Sequence, residues 1–258
     1  MIGLTVFLCA VLAAAPVGSP APASDVNVLY AGSLVTPMEG PVAQALAHDT
    51  GLHFVGEGRG SKALANLIAG GLRTPDVFIS ADRTLVDGLA AKGLVESAVT
   101  FGGASMVLGW ADASPHRQLF EDVAAGKASL VAALQTPGLR IARTDPALDP
   151  KGERTVRALR MMGLPDTLGT IYPEEDLLVR LETGQADAGF LYSTEAIARK
   201  LHDVPLPGAA SLSGEITYTA VILKAAPHPE AARRFVDFIT NGAGKPILEA
   251  AGITYLTR

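Results

Sequence analysis

The sequence predicts an α/β fold, on three observations. Between Val26 and Ala91 a short apolar strand runs three times into a Gly-, Ser- or Asp-marked turn and then a helical pattern. The theme returns with other lengths between Ser105 and Lys200, and a long β run followed by two amphipathic stretches closes the chain. Alternation of this kind implies parallel strands with helices on both faces of a sheet.

In chain order, Val26 to Ala31 is the first expected strand, followed by a helix that starts at Ser33 and runs through Pro41 to His48. Leu52 to Gly56 is a strand, and Lys62 to Ala69 a helix stopped by Gly70-Gly71. Asp76 to Ser80 is a third strand, and Asp82 to Ala91 a third helix ending near Gly93. Ser105 to Trp110 and Leu139 to Ala142 read as strands, with helical stretches at Arg117–Gly126 and Ser129–Leu134 between them. Helices are expected over Glu153–Met161, Glu174–Glu182 and Thr194–Lys200, with a strand at Ala188–Tyr192. Glu215 to Lys224 is β, and Glu230–Thr240 and Lys245–Ala250 are closing helices.

The chain has 258 residues, enough for one large α/β unit or two modest lobes. At 48% hydrophobic and 18% charged residues it is a compact globular composition, and a net charge of −5 argues against nucleic acid as a partner. That charge also means a bound anion must be held by local donors, not drawn in by the field of the whole molecule. No Pro/Ser-rich linker splits the chain into consecutive domains. Strands around Met106 and Val221 can instead pass between two lobes, so that the chain crosses out and returns, as a hinged clamp requires.

Residues 1–23 read as an export signal, apolar from Ile2 to Val17, with Ala21-Pro22-Ala23 offering small residues for a cut before Ser24. The run is shorter than a comfortable membrane span of about 20 residues, and an uncleaved anchor is the alternative. Cys9, the one cysteine, lies inside it, so a processed chain has no thiol chemistry and no disulfide.

Two strand–helix junctions carry a serine: Ser33 in Tyr30-Ala-Gly-Ser-Leu34, and Ser61 in Gly56-Glu-Gly-Arg-Gly-Ser61. Helix N-termini leave backbone N–H groups unpaired and carry partial positive charge, so two of them converging at one sheet edge form an anion receptor. Charge-assisted hydrogen bonds of this type contribute roughly 1.5–3 kcal/mol each, so a handful supports tight binding of a small anion. The alternative for both serines is plain N-capping. The glycines before Ser61 do not make a nucleotide loop, because Ser precedes Lys62 where that motif needs Gly-Lys-Ser/Thr. Five histidines show no metal-ligand spacing, and there is no Gly-x-Ser-x-Gly elbow, so no enzyme is expected.

The order of these pieces resembles the periplasmic solute-binding proteins of ABC importers, and more narrowly their molybdate- and tungstate-binding branch. The matching stretches are Tyr30–Leu34, Gly60-Ser61, Pro75–Asp82, Asp149-Pro-Lys-Gly-Glu-Arg154, Gly184–Tyr192, and Thr217 through Gly252. The resemblance implies a type II two-lobed fold, each lobe a mixed sheet flanked by helices with two crossover strands as hinge. Lobe I would comprise residues 24–104 plus 212–258, and lobe II residues 105–211. It implies an oxyanion site of Ser33, Ser61, Asp149, Glu174 and Tyr192, with Asp149 and Glu174 reaching the molybdenum or tungsten itself, as in the archaeal-type binders. Glu175 is the rival of Glu174. Lys151 stands where that branch usually has a small residue, and Arg154 is expected near the cleft, pairing with a carboxylate such as Asp149. Tyr192 would donate its phenol or simply pack. A permease partner, a monomer, a periplasmic location and no cofactor complete the expectation. The rivals are a binder of sulfate, a phosphorylated metabolite or an organic acid, a carboxylate-pair enzyme, and a surface adhesin.

Overall fold

The computed structural model describes residues 24–256, so residues 1–23, expected to be an export signal and containing Cys9, lie outside the described residues. Among the described residues eleven strands form two mixed sheets. In the six-stranded sheet the order is β11-β4-β10-β3-β1-β2, with β1 Asp25–Ala31, β2 His53–Arg59, β3 Val77–Ser80, β4 Val95–Ala104, β10 Ile216–Leu223 and β11 Thr254–Tyr255. In the five-stranded sheet it is β7-β6-β8-β5-β9, with β5 Met106–Trp110, β6 Ile141–Arg143, β7 Thr170–Ile171, β8 Ala188–Tyr192 and β9 His202–Pro205.

The expected parallel pairing holds where strand and helix alternate: β1 runs parallel to β2 and β3, and β6 parallel to β7 and β8. The antiparallel members are the strands by which the chain leaves and re-enters each sheet. β10 pairs antiparallel with β3 and β4, and β5 with β8 and β9. The chain passes from one sheet to the other at Ser105, which alone separates β4 from β5, and returns through residues 206–215.

β1, β3, β5, β8 and β10 are buried almost throughout, the mark of strands covered on both faces. Leu64, Ile68, Val86 and Leu89 cover one face of the six-stranded sheet through Leu29, Phe78 and Val221, while Met38, Leu46, Phe235 and Ile239 cover the other. Leu177 and Leu181 pack on Val107, Ala142 and Leu191 of the five-stranded sheet, and Phe120, Ala158 and Leu159 belong to the core on its opposite face.

Two expectations need correction. The first helical segment, which opens at Gly32 beside the expected start at Ser33, is not one regular helix: a 3-10 turn Gly32–Leu34, one turn Val35–Pro37, a wide π turn Met38–Val42 and the helix Ala43–Thr50 follow without a break. Pro41 lacks an N–H and crowds the preceding turn, and the π turn absorbs it inside the helix where a proline ordinarily marks a start. Four strands were not anticipated: β4, β7, β9 and β11. β4 carries Glu96, Ser97, Thr100 and two glycines and has exposed or half-buried positions along most of its length, so it lacks a continuous apolar run.

Asp76, wholly buried at the amino end of β3, ties this sheet to its covering helix. It accepts from Asn27 N at 2.7 Å, from Asn27 Nδ2 at 3.1 Å and from His228 N at 2.5 Å, just ahead of the helix Pro229–Thr240. Asp76→Ala strands these donors and is expected to lower stability by at least about 2 kcal/mol, read as a shifted midpoint in urea unfolding.

Candidate functional site

The carboxyl ends of β1, β2 and β3 lie against the carboxyl ends of β6 and β8, and their junctions touch. Gly32, directly after β1, is so close to Glu174 that an added Cβ would sit 2.3 Å from its Cγ. Gly60, directly after β2, would place a Cβ 2.8 Å from the Leu148 carbonyl and 3.2 Å from Asp149 Cβ. A backbone bond crosses the gap, from Ala63 N to Leu148 O at 3.1 Å, and Lys62 Nζ reaches Glu153 Oε2 at 3.1 Å. The absence of a side chain at these two glycines is what permits the approach.

Neither serine is an N-cap. Ser33 sits inside the 3-10 turn and Ser61 is the first residue of the helix Ser61–Ala69, whose cap is Gly60. Both are buried. Ser61 Oγ accepts from Ala81 N at 3.1 Å, which leaves its hydrogen to give. Ser33 Oγ is 2.9 Å from Tyr218 Oη on β10, which is 3.0 Å from Thr194 Oγ1. Burial pushes the Tyr218 phenol up to about 12, so it is a neutral donor at any ordinary pH.

Opposite them stand the carboxylates. Asp149 caps the helix Pro150–Met161, one oxygen taking Lys151 N at 3.0 Å. Its other oxygen, Oδ2, is buried without a hydrogen-bond partner, and so is Glu174 Oε2. Burial and the neighbouring Asp149 carboxylate push the Glu174 carboxyl well above the usual range, only partly opposed by Lys151. Thr144 Oγ1, just after β6, is likewise buried and unpartnered. A fold that satisfies nearly all its buried polar atoms leaves such a cluster open where something else completes it.

Lys151 is fully buried, its ammonium 2.9 Å from Glu174 Oε1 and 2.6 Å from Glu195 Oε1. Burial pulls it down, but Glu174, Glu195 and Asp149 more than reverse this, so it stays charged. Glu195 in turn accepts Tyr192 N at 2.7 Å. Tyr192 ends β8, buried, with its hydroxyl oxygen accepting from Arg154 Nη1 at 2.7 Å and its own hydrogen left to donate. Burial also raises this phenol, against the pull of Arg154.

Of the residues expected from sequence, Ser33, Ser61, Asp149, Glu174, Tyr192, Lys151 and Arg154 are thus drawn to one seam. Glu175 is not the buried partner: its residue is exposed, while Glu174 turns inward. Arg154 does not pair with Asp149. It reaches across to Ala81 O at 3.0 Å and Asp82 Oδ2 at 3.3 Å, because its position on the helix aims it past the cap toward β3. Sequence reasoning missed Tyr218, Thr194, Glu195 and Thr144. Glu195 had a signal, three residues after Tyr192 in capping-box spacing, whereas Tyr218 is one of several buried β10 positions.

A crevice of about 150 Å³ is lined by Gly60, Thr144, Asp149 and Glu174, and one of about 240 Å³ by Gly32, Glu39, Glu174 and Glu175. Both fall below the roughly 300 Å³ at which organic-ligand pockets begin; the larger is strongly acidic, with Glu57 beside Glu39, Glu174 and Glu175, and the smaller is the one that adjoins Asp149 and Thr144.

The profile of the bacterial extracellular solute-binding proteins matches residues 26–254. The molybdate-binding protein ModA of Mycobacterium tuberculosis is 32% identical over 247 residues, covering 93% of this chain and 88% of that protein. A putative ABC transporter molybdenum-binding protein of Haloferax volcanii is 30% identical over 253 residues, covering 88% and 77%. Among solved structures, the periplasmic molybdate-binding protein of Azotobacter vinelandii superposes with a TM-score of 0.73 at 24% identity, covering 90% of this chain and 99% of that one.

Asp149→Asn keeps the helix cap and removes one of two crowded charges. The empty protein is expected to unfold about 2–4 °C higher than wild type, by calorimetry, if the repulsion is worth ~1 kcal/mol. Gly60→Val is expected to hold the two strand edges apart, read as a larger radius of gyration in solution X-ray scattering.

Proposed function

The chain belongs to the bacterial extracellular solute-binding proteins, and we propose that it captures molybdate or tungstate and delivers it to an ABC permease. The observation that carries this is the pair of buried oxygens without partners, Asp149 Oδ2 and Glu174 Oε2, in the seam that also holds the hydroxyls of Ser33, Ser61 and Tyr192. Carboxylates repel a dianion, and sulfur or phosphorus at the centre of a tetraoxoanion has no room for further oxygens. Molybdenum and tungsten in their highest oxidation state are larger and electron-poor, and accept hard oxygen donors. Two carboxylates therefore favour a metal oxyanion and disfavour sulfate. Ser33, Ser61 and Tyr192 would donate to its oxo groups, and Asp149 and Glu174 would complete the metal's shell. The relatives named for molybdate support the same ligand.

The working parts are a lobe of residues 24–104 plus 212–258, supplying Ser33 and Ser61, and a lobe of residues 105–211, supplying Asp149, Glu174 and Tyr192. The anion joins them, and its contacts to both favour the closed form, which the permease would read. Molybdate or tungstate is cargo, not a cofactor, and no chemistry is done on it. In this reading residues 1–23 direct export, and the mature monomer works in the periplasm. Among the described residues no helix is long and apolar enough to cross a membrane.

Thermal unfolding and calorimetry against molybdate, tungstate, sulfate, phosphate and citrate test this. At a hundredfold excess over Kd the first two are expected to stabilise by about 2.7 kcal/mol, a rise of ~5–10 °C, with little change for the others. Asp149→Ala and Glu174→Ala are expected to erase the preference for tungstate over sulfate. A wild-type protein that responds to sulfate or citrate alone would sink the reading.

A further inference from the structure

Lys151 occupies a position that helix stability argues against. It is the second residue of Pro150–Met161, where the helix dipole is positive and a cation is unfavourable. It is also fully buried, and removing an ammonium from water costs several kcal/mol even when it is paired. Neither penalty is returned to the helix. What the side chain does is bridge two carboxylates that the fold buries, Glu174 at 2.9 Å and Glu195 at 2.6 Å. The bridge is one-sided: it engages Glu174 Oε1 and leaves Oε2 unpartnered, with the free Oδ2 of Asp149 in the same cluster.

We infer, building on the functional reading above, that Lys151 is a specificity-determining positioning residue. By holding Glu174 through one oxygen it presents the other as a single-oxygen donor to the metal centre of the captured anion. Its fixed charge offsets one carboxylate, so the site can hold a dianion beside Asp149 and Glu174. Glu195 is the second anchor that keeps the ammonium from swinging toward the anion, and it ties this placement to Tyr192 through the Tyr192 N–H at 2.7 Å. A lysine acting only as a positive charge would attract every dianion alike. A lysine that aims Glu174 helps only an anion whose centre accepts a further oxygen, and it therefore acts on the ratio of affinities.

The test is titration calorimetry of wild type, Lys151→Met and Lys151→Arg with sodium tungstate and with sodium sulfate, alongside unfolding of the empty proteins. Lys151→Met is expected to lower the tungstate-to-sulfate affinity ratio at least tenfold, and Lys151→Arg, which keeps charge and donors, to hold it within about threefold. If Lys151→Met does not fold, Lys151→Gln, which keeps a donor and drops the charge, answers the same question at the same threshold. A charge-free variant that keeps the wild-type ratio overturns the inference, even if both affinities fall together. Wild-type protein that binds neither anion overturns the functional reading, and this inference with it.

Discussion

The rest of the structure is arranged around two carboxyl groups held close together in a buried seam, where burial and Asp149 make Glu174 hold its proton more tightly than usual. Asp149 and Glu174 repel each other, and water is largely excluded from both. Left alone they would drive the segments carrying them apart or take up protons. Three features hold them in place. The helix Pro150–Met161 starts at Asp149 and takes one oxygen as its cap. Lys151 grips Glu174 from behind. Gly32 and Gly60 bring the opposite sheet close enough to confine them. Each is a local choice that makes sense only with the other two, the coherence that separates a built site from an accident of packing.

Much of this was legible in the chain. Alternating strands and helices marked the α/β class, and the serines after β1 and β2 fell where ligands of parallel sheets gather, at strand carboxyl ends. The residues Ser33, Ser61, Asp149, Glu174 and Tyr192 meet at one seam, though what they hold there is a proposal. What sequence concealed has physical causes. β4 is the longest strand, yet its exposed face and glycines hide the apolar alternation. Pro41 sits in a π turn, where the usual rule places a helix start. Arg154 was expected to pair with a carboxylate such as Asp149, and the carboxylate it meets is Asp82, just after β3 of the other sheet, which nearness along the chain could not show. Tyr218 was invisible because distance along the chain says nothing about which β10 side chain meets Ser33.

The likeness to solved structures and the likeness in sequence do different work. A shared fold places ligands between two sheets without choosing among anions. The choice rests on side chains, and the proposed site includes a lysine, two glutamates and an aspartate that a purely hydroxyl-lined anion site would not need. The bridging hydroxyl of Tyr218, between Ser33 and Thr194, also means the donors of one sheet are braced by the other.

Ser105 sits at a point of leverage. It is the single residue between β4 and β5, and it is bonded to Ser193 at both its amide and its carbonyl, by Ser105 N to Ser193 Oγ at 3.2 Å and Ser193 N to Ser105 O at 2.9 Å. Ser193 follows Tyr192 immediately. The fulcrum on which the two halves would swing is therefore clasped to the backbone beside the tyrosine at the seam. The link between the two places is two hydrogen bonds, not the bulk of either sheet. In the proposed clamp, that clasp would gear the swing of the halves to an ion of a few atoms at the seam.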